Sequence, residues 1–319
     1  MTREQVFNSI GIRTTKLSFG QRLVKDFKKN KYKYLIILPV LVFFIIFAYK
    51  PMYGIIIAFK DYRPSITIAE SKWVGFKYFE MYFKDVYFLR TLRNTFFLGG
   101  GSILFGFGVP IIFALLLNEV RSSRFKKIIQ TTTYLPHFIS IVVVCSMIGL
   151  FCQNEGLLTD LVVALGGKRE NMLQNPNNFR PIYYLSGIWQ NFGWDSVIYL
   201  AALTSIDPTL YEAVDIDGGG RWAKMWHITL PGIKPQIIIL LILATGGILG
   251  ADFEKVLNLY NSLTMEVADV ISTYTYRVGI QSGSYSYGTA IGLFNSVVNV
   301  AFLATTNLIS KKTADIGLF

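Results

Sequence analysis

The residues best suited to chemistry form a short polar and aromatic stretch in an otherwise apolar part of the chain. Residues 189–195 read WQNFGWD and place two indoles, two amides and a carboxylate within about two helical turns. Planar aromatic faces pack against sugar rings, while amides and carboxylates bind sugar hydroxyls. The stretch therefore predicts a path for a polyhydroxylated molecule, lined by Gln190, Asn191, Trp194 and Asp195.

Several catalytic classes lack their motifs in this sequence. Gly166, Gly167 and Lys168 do not complete a GxxxxGK[ST] phosphate loop, because the first glycine and the final Ser or Thr are missing. The histidines, His137 and His227, are far apart in sequence, and no triad, carboxylate pair or metal-ligand spacing is present. We expect no catalytic residues, no bound metal and no cofactor held by this chain.

Composition indicates a membrane protein. The chain has 319 residues, of which 52% are hydrophobic and only 16% are charged. This is more apolar surface than one soluble core of this length needs. The formal charge of +11 comes without a nucleic-acid-binding motif or interleaved stacking aromatics, and it concentrates at the N-terminus and between apolar segments. A cytoplasmic membrane face explains that distribution.

Six apolar segments predict an all-α membrane protein with about six transmembrane helices. Basic residues are densest at the N-terminus and recur in the expected cytoplasmic loops, while the first outer loop also contains Lys60, Arg63, Lys72, Lys77 and Lys84. The bias, which comes mostly from the N-terminus, predicts both termini in the cytoplasm. The predicted parts are a basic segment over 1–33, a transmembrane domain over 34–310 and a tail over 311–319. The apolar segments cover residues 34–59, 95–117, 133–151, 182–206, 237–259 and 289–309.

A polar loop separates the fourth and fifth apolar segments. Asp207 is a favourable N-cap and Pro208 is suited to the first helical position, so a short helix should begin here. The glycines from Gly218 onward should end it. Such a helix is too polar for the bilayer and is suited to a groove on a soluble partner.

This loop resembles the signature of permeases in binding-protein-dependent ABC importers. Their pattern is Glu-Ala-Ala, then Gly, then Ile-x-Leu-Pro, and this chain matches it with Glu212, Ala213, Gly218 and residues 228–231. Val214 replaces the second alanine. The resemblance implies that residues 205–235 form a coupling loop to an ATPase. Its expected contact residues are Tyr211, Glu212, Ala213, Asp217, Gly218 and Arg221.

The similarity extends over nearly the whole chain after about residue 30. Segments such as residues 49–62 (YKPMYGIIIAFKDY) and 134–140 (YLPHFIS) resemble MalF-related sugar permeases, specifically the LplB-like subfamily. This implies a type I importer bundle of the MalF/MetI-like kind, in the inner membrane, for an oligosaccharide or polysaccharide fragment. It also implies a second permease, two ATP-binding subunits that hold ATP and Mg, and an extracytoplasmic solute-binding protein.

Two substrate-path residues lie in other apolar segments. In the family the fifth span also contacts ligand, and here it departs from the asparagine-rich pattern by offering Asp252. Asn295 in the last segment shares a helical face with Asn299 and could line the same path or pack. Gln190 and Asn191 could equally hold helices together, and the indoles could anchor at the membrane interface.

Two other protein classes remain open from the residues alone. A self-sufficient channel or secondary transporter could use buried Asp195, Asp252 and Glu254 as ion sites, and it predicts an inverted repeat. The sequence shows no such repeat. A membrane scaffold or sensor would not require a polar, aromatic patch deep in the fourth segment.

Overall fold

The computed structural model describes residues 19–318 and is mostly helical. It divides into two compact units, one through Ile56 and one from Ile57 onward. The helices are α1 Phe19–Lys29, α2 Lys31–Phe44, α3 Lys50–Met52, α4 Lys77–Phe83, α5 Phe88–Gly106, α6 Gly108–Asn118, α7 Ser123–Tyr134, α8 Ile141–Phe151, α9 Leu157–Ala164, α10 Pro176–Thr204, α11 Pro208–Ile216, α12 Arg221–Lys224, α13 Leu230–Gly246, α14 Phe253–Leu259, α15 Met265–Ala268, α16 Ile271–Thr275 and α17 Tyr285–Ala314.

The first unit contains an apolar helix whose whole circumference is exposed. Helix α2 continues through a π-helical turn, Ile45–Tyr49, into α3, and none of its side chains is buried. A helix that is apolar all round and unburied fits a lipid environment rather than water. Residues 1–18 of the predicted basic segment lie outside the described residues, and the remainder of that segment includes the lysine-ended α1.

Long apolar helices match most of the six predicted segments. In the described part, four helices are long and apolar enough to cross a membrane, at Lys25–Phe59, Phe88–Asn118, Arg221–Gly246 and Tyr285–Ala314. A bent pair, Ser123–Phe138 with Ile141–Phe151, gives a fifth candidate. The fourth predicted segment, 182–206, corresponds to α10, which has 29 residues but a more polar sequence.

The bent pair turns by 96° between its two helices. A 3-10 turn at Leu135–Phe138, with Pro136 near its start, ends the first helix. The next residue, Ile139, is extended with φ −80° and ψ 131°, so helical hydrogen bonding stops there. The proline and the extended backbone together explain the bend.

The fifth predicted segment is wrong in its second half. We expect one span over 237–259, but α13 ends at Gly246 and α14 begins only at Phe253. The backbone N–H of Leu249, in the break, donates to Oδ1 of Asn299 at 3.0 Å. Asn299 therefore packs against the interrupted backbone and satisfies one of its orphan donors.

Helix α10 lies at the centre of the second unit, where it contacts α5, α6, α7 and α13. Two of the three clusters of buried side chains in the described residues include residues of α10. Phe179 and Tyr183 belong to the first cluster, and Tyr199 and Leu203 belong to the third. This packing fixes α10 and the polar stretch that it carries.

Polar contacts tie the segment between α14 and α17 to the rest of this unit. The Asp269 side chain is fully buried and accepts from Arg90 at 3.1 Å and from Arg277 at 2.7 Å. Asn94 donates from Nδ2 to the backbone oxygens of Glu266 and Asp269. A two-stranded hairpin, β1 Lys60–Asp61 with β2 Lys72–Trp73, precedes α4 and is held to the start of α17 through Lys60.

Candidate functional site

The segment between α10 and α13 folds locally as its sequence predicts. Asp207 caps α11 by accepting from the Thr209 N–H at 2.9 Å, and Pro208 occupies the first turn. Hydrogen bonds from the Thr209 backbone and hydroxyl lower the pKa of Asp207 below its usual range. Gly218 follows the helix with φ +75°, the left-handed region that favours glycine. The predicted start and end of this helix are confirmed.

Contacts on the inner side join α11 to the start of α13. The hydroxyl of Tyr211 lies 3.2 Å from that of Thr229, in the π-helical turn Met225–Thr229. Lys224 pairs with Asp215 at 2.6 Å. The Val214 side chain faces Gly219, where an added Cβ would lie 2.4 Å from it. The valine that departs from the family pattern thus packs within the loop.

The outer side of α11 is open and carries both charge and apolar surface. Glu212 and Ala213 are exposed, as are Asp217, Gly218 and Arg221. Large apolar side chains also lack cover here, with Ile216 87% exposed and Trp222 71% exposed. Exposed apolar groups next to charged ones are typical of a protein-binding surface.

Several predicted substrate residues meet at one cavity of about 480 Å³. Gln190, Asn191 and Asp195 come from α10, and Asp252 comes from the break before α14. Helices α5 and α13 and the aromatic rings of Tyr183 and Tyr184 form other parts of the wall. The cavity thus combines hydrogen-bonding groups with aromatic rings, as recognition of a sugar requires.

The two amides also hold the bundle together. Nε2 of Gln190 donates to the Ile139 backbone oxygen at 3.1 Å, in the bend between α7 and α8. Oδ1 of Asn191 lies 3.0 Å from Nδ1 of His137, and its Nδ2 donates to the Gly187 oxygen. These contacts match the alternative structural role, and the same side chains line the cavity.

Trp194 and Asn295 lie elsewhere than the other four residues. Trp194 stacks on His137 with ring centroids 4.8 Å apart and an interplanar angle of 5°, and it is not among the residues lining the cavity. Asn295 lines a separate groove with Tyr276 and Tyr285. Among the described residues its buried Oδ1 has no hydrogen-bond partner.

Three further residues at this site are not predicted from the sequence. Lys255 and Tyr183 line the cavity, and His137 holds Asn191 at its edge. A signal for Lys255 was present, because it is a single cation in the apolar run that follows Asp252. Its burial depends on α14 packing against α8, which local sequence does not reveal.

The fold, the exposed α11 and the polar cavity between helices define a polytopic membrane permease. Residues 106–315 match the family model described as binding-protein-dependent transport system inner membrane component, and the chain belongs to this family.

Similar proteins cover nearly the whole chain. Protein LplB of Bacillus subtilis (strain 168) is 45% identical over 293 residues, 92% of this chain and 92% of that protein. The polygalacturonan/rhamnogalacturonan transport system permease protein YteP of the same organism is 45% identical over 300 residues, 94% of each chain. A bacterial alginate ABC transporter, solved with an alginate pentasaccharide-bound periplasmic protein, contains a chain with 43% identity and TM-score 0.85. That similarity covers 93% of this chain and 100% of the other.

Proposed function

We propose that this chain is one of two permease subunits of an ATP-driven importer for oligosaccharides or polysaccharide fragments. Two ATP-binding subunits bind ATP and Mg, and an extracytoplasmic solute-binding protein delivers the sugar. The chain itself performs no hydrolysis and holds no cofactor. Both termini, including residues 1–33 and 311–319, lie in the cytoplasm, together with the coupling loop over 205–235.

The observation that carries this proposal is the coupling segment, residues 207–221. Its outer side presents Glu212 beside exposed apolar side chains, while its inner side bonds through Tyr211 to Thr229 at the start of α13. The other end of α13 supplies Ala244 to the cavity wall. Displacement of α11 can therefore be transmitted to the substrate cavity through α13, and alternating access requires that such an element adopt two positions.

The proposed substrate class rests on the cavity and on the relatives. Gln190, Asn191, Asp195 and Asp252 offer hydrogen bonds to hydroxyls, and Tyr183 and Tyr184 offer ring faces. One relative is named for polygalacturonan and rhamnogalacturonan, and a solved relative imports alginate. Trp194 and Asn295 belong to the same proposed path at other levels or in other states of the transport cycle.

The test uses the assembled importer in proteoliposomes. We expect Glu212→Ala to lower sugar-stimulated ATP hydrolysis and uptake by about tenfold or more, because a polar anchor at the centre of an interface is lost. Glu155→Ala, at an exposed glutamate in another loop, is the matched control and should leave both unchanged. Normal uptake and normal subunit co-purification with Glu212→Ala would refute the coupling role.

A further inference from the structure

Lys255 is a buried cation at the wall of the proposed substrate cavity. Its side chain lies on α14, and the residue is only 3% exposed. Nζ donates to the Tyr183 backbone oxygen at 2.8 Å and lies 4.7 Å from the centre of the Tyr183 ring. One hydrogen bond and one ring contact hold the ammonium in place, while an ammonium has three donors.

No carboxylate pairs with this ammonium. Among residues 19–318, no Asp or Glu oxygen lies within 4.0 Å of Nζ. Buried lysines are rare unless they are paired, because an isolated charge loses its hydration. A lysine held at a cavity wall with donors to spare is therefore suited to an anion that enters the cavity.

The position of the Lys255 ammonium along the cavity is defined by its neighbour Gly187 on α10. A Cβ added to Gly187 would lie 3.0 Å from Nζ, so the absent side chain there leaves room for the ammonium. Tyr184, Gly187, Asn191 and Asp195 recur at helical spacing and all line the cavity. Asp195 is eight residues beyond Gly187, which is about 12 Å along a helix.

Asp195 and Lys255 therefore place opposite charges at different positions along the cavity. At about 12 Å the repulsion between Asp195 and a carboxylate bound at Lys255 is weaker than the attraction of the ammonium, because the ammonium would be in direct contact with that carboxylate. Asp252 is nearer, but its Oδ1 accepts from the Lys255 backbone N–H and caps α14, so the helix N-terminus balances part of its charge. Lys255 is left as the cationic point on this part of the wall.

We propose that Lys255 selects acidic sugars by pairing its ammonium with a uronate carboxylate, while the amides and the Asp195 carboxylate further along the cavity bind hydroxyls. This inference rests on the proposed function and names the substrate class of the same cavity. A charge-assisted pair in a partly dry cavity is stronger than a neutral hydrogen bond, so the lysine would discriminate against neutral sugars of the same size.

The pH dependence of uptake should report the charge on this side chain. Burial lowers the pKa of Lys255 to about 8, and the nearby carboxylate of Asp252 opposes the shift. The titratable groups around the ammonium are Asp252 at the N-cap of α14, Cys145 on α8 and Tyr183 on α10. The ammonium is therefore present near pH 7 and is lost as the pH rises through about 8.

The experiment measures ATP-driven uptake by the complete importer, with its binding protein, in proteoliposomes. The probes are a galacturonic acid trisaccharide and its carboxyl-reduced counterpart, in which primary alcohols replace the carboxylates. Lys255→Gln keeps a donor for the Tyr183 oxygen without the charge, and Lys255→Arg keeps the charge. Lys84→Gln, at an exposed lysine outside the cavity, is the control.

We expect wild-type protein to import the acidic trisaccharide and Lys255→Gln to lower that uptake by about tenfold or more. Lys255→Arg and Lys84→Gln should stay within about threefold of wild type. Between pH 7 and 9 uptake should fall for wild type and less for Lys255→Arg, because a guanidinium does not titrate there. This pH comparison uses only wild type and Lys255→Arg, so it tests whether the charge is required even if Lys255→Gln fails to assemble.

Three results would overturn the inference. Equal uptake by Lys255→Gln and wild type would show that the charge of Lys255 plays no part in sugar recognition. The same pH profile for wild type and Lys255→Arg would show this too. Import of the carboxyl-reduced sugar alone would also overturn it and leave the proposed function intact. Import of neither sugar by an assembled complex that hydrolyses ATP would overturn the proposed function itself.

Discussion

The hydroxyl of Tyr211 lies 3.2 Å from the hydroxyl of Thr229 and connects the exposed α11 to the π-helical turn that leads into α13. Thr229 also donates to the Lys224 backbone oxygen. This connection joins a surface suited to a soluble partner with a helix that reaches the cavity. Movement of α11 can therefore be transmitted to α13 through this hydrogen bond.

Removing that hydrogen bond should weaken coupling without unfolding the protein. We expect Tyr211→Phe and Thr229→Val each to lower sugar-stimulated ATP hydrolysis by about two- to tenfold, the range for one net hydrogen bond. The double variant should be no worse than Thr229→Val alone, because Thr229→Val already removes the hydrogen bond with Tyr211 together with the one to the Lys224 oxygen. Additive losses in this cycle would show that the two hydroxyls act independently.

Gly218 should tolerate substitution poorly because of its backbone and not because of crowding. Its φ is +75°, and apart from its chain neighbours no atom of residues 19–318 lies within 4 Å of an added Cβ. Gly218→Ala should cost about 1–2 kcal/mol locally by forcing alanine into the left-handed region. Gly220 has φ −84° and equally open surroundings, so Gly220→Ala is a matched control with little effect.

These two glycine variants are compared by co-purification of the ATP-binding subunits with the permease. We expect weaker recovery for Gly218→Ala and normal recovery for Gly220→Ala. Equal recovery of both would mean that the left-handed turn does not position the docking surface.

Gly99 on α5 should be irreplaceable, because it faces the broken backbone between α13 and α14. A Cβ at this position would lie 1.8 Å from the Ile248 carbonyl oxygen, and backbone cannot move aside as a side chain can. Gly99→Ala should destabilise the protein by about 1–3 kcal/mol or more. Gly100→Ala meets only the end of the Ile248 side chain at 3.8 Å and should be close to neutral.

Thermal unfolding in detergent, followed by loss of the monodisperse peak, measures this pair. A lower midpoint is expected for Gly99→Ala alone. If both variants unfold at the wild-type temperature, α5 does not pack against Ile248 as closely as described.

Asp269 should matter more for stability than an exposed acid in a comparable ion pair. It is fully buried and accepts from Arg90 and Arg277, so Asp269→Asn leaves two guanidinium groups without their counter-charge. Breaking a buried pair of this kind costs about 3–5 kcal/mol. Asp160, 54% exposed and 2.7 Å from Arg169, is the comparison, and Asp160→Asn should cost about 1 kcal/mol or less.

Both aspartate variants are measured in the same detergent unfolding assay. A large loss of stability for Asp269→Asn with little change for Asp160→Asn is the expected result. Comparable losses for the two would argue that the segment between α14 and α17 is held mainly by Asn94 and by apolar packing.

The coupling segment was predictable because its determinants are close together in sequence. Asp207 hydrogen-bonds two residues ahead, Pro208 fits the first turn by its own geometry, and Gly218 adopts a positive φ without any distant contact. The apolar segments were predictable for a similar reason, since about 20 consecutive apolar residues meet the thickness of a bilayer on their own.

Other features depended on contacts between distant residues. The segment 237–259 was predicted as one span although it contains Gly246, Gly247, Gly250, Asp252 and Glu254. That the helix stops at Gly246 depends on distant contacts, because Asn299 hydrogen-bonds the backbone of the break and Gly99 leaves room for it. Likewise Asn191 and Asn295 look alike in sequence, yet one lines the large cavity and the other a separate groove.

The sequence by itself therefore determined the membrane class through hydrophobic length, the family through the resemblance of its motifs, and the position of the short helix after Asp207 through local capping. Only the tertiary structure decided which polar groups share a cavity. Lys255 reaches that cavity because α14 packs against α8 and because Gly187 on α10 has no side chain to exclude the ammonium. Such placement depends on which helices meet, and local residue patterns do not specify that.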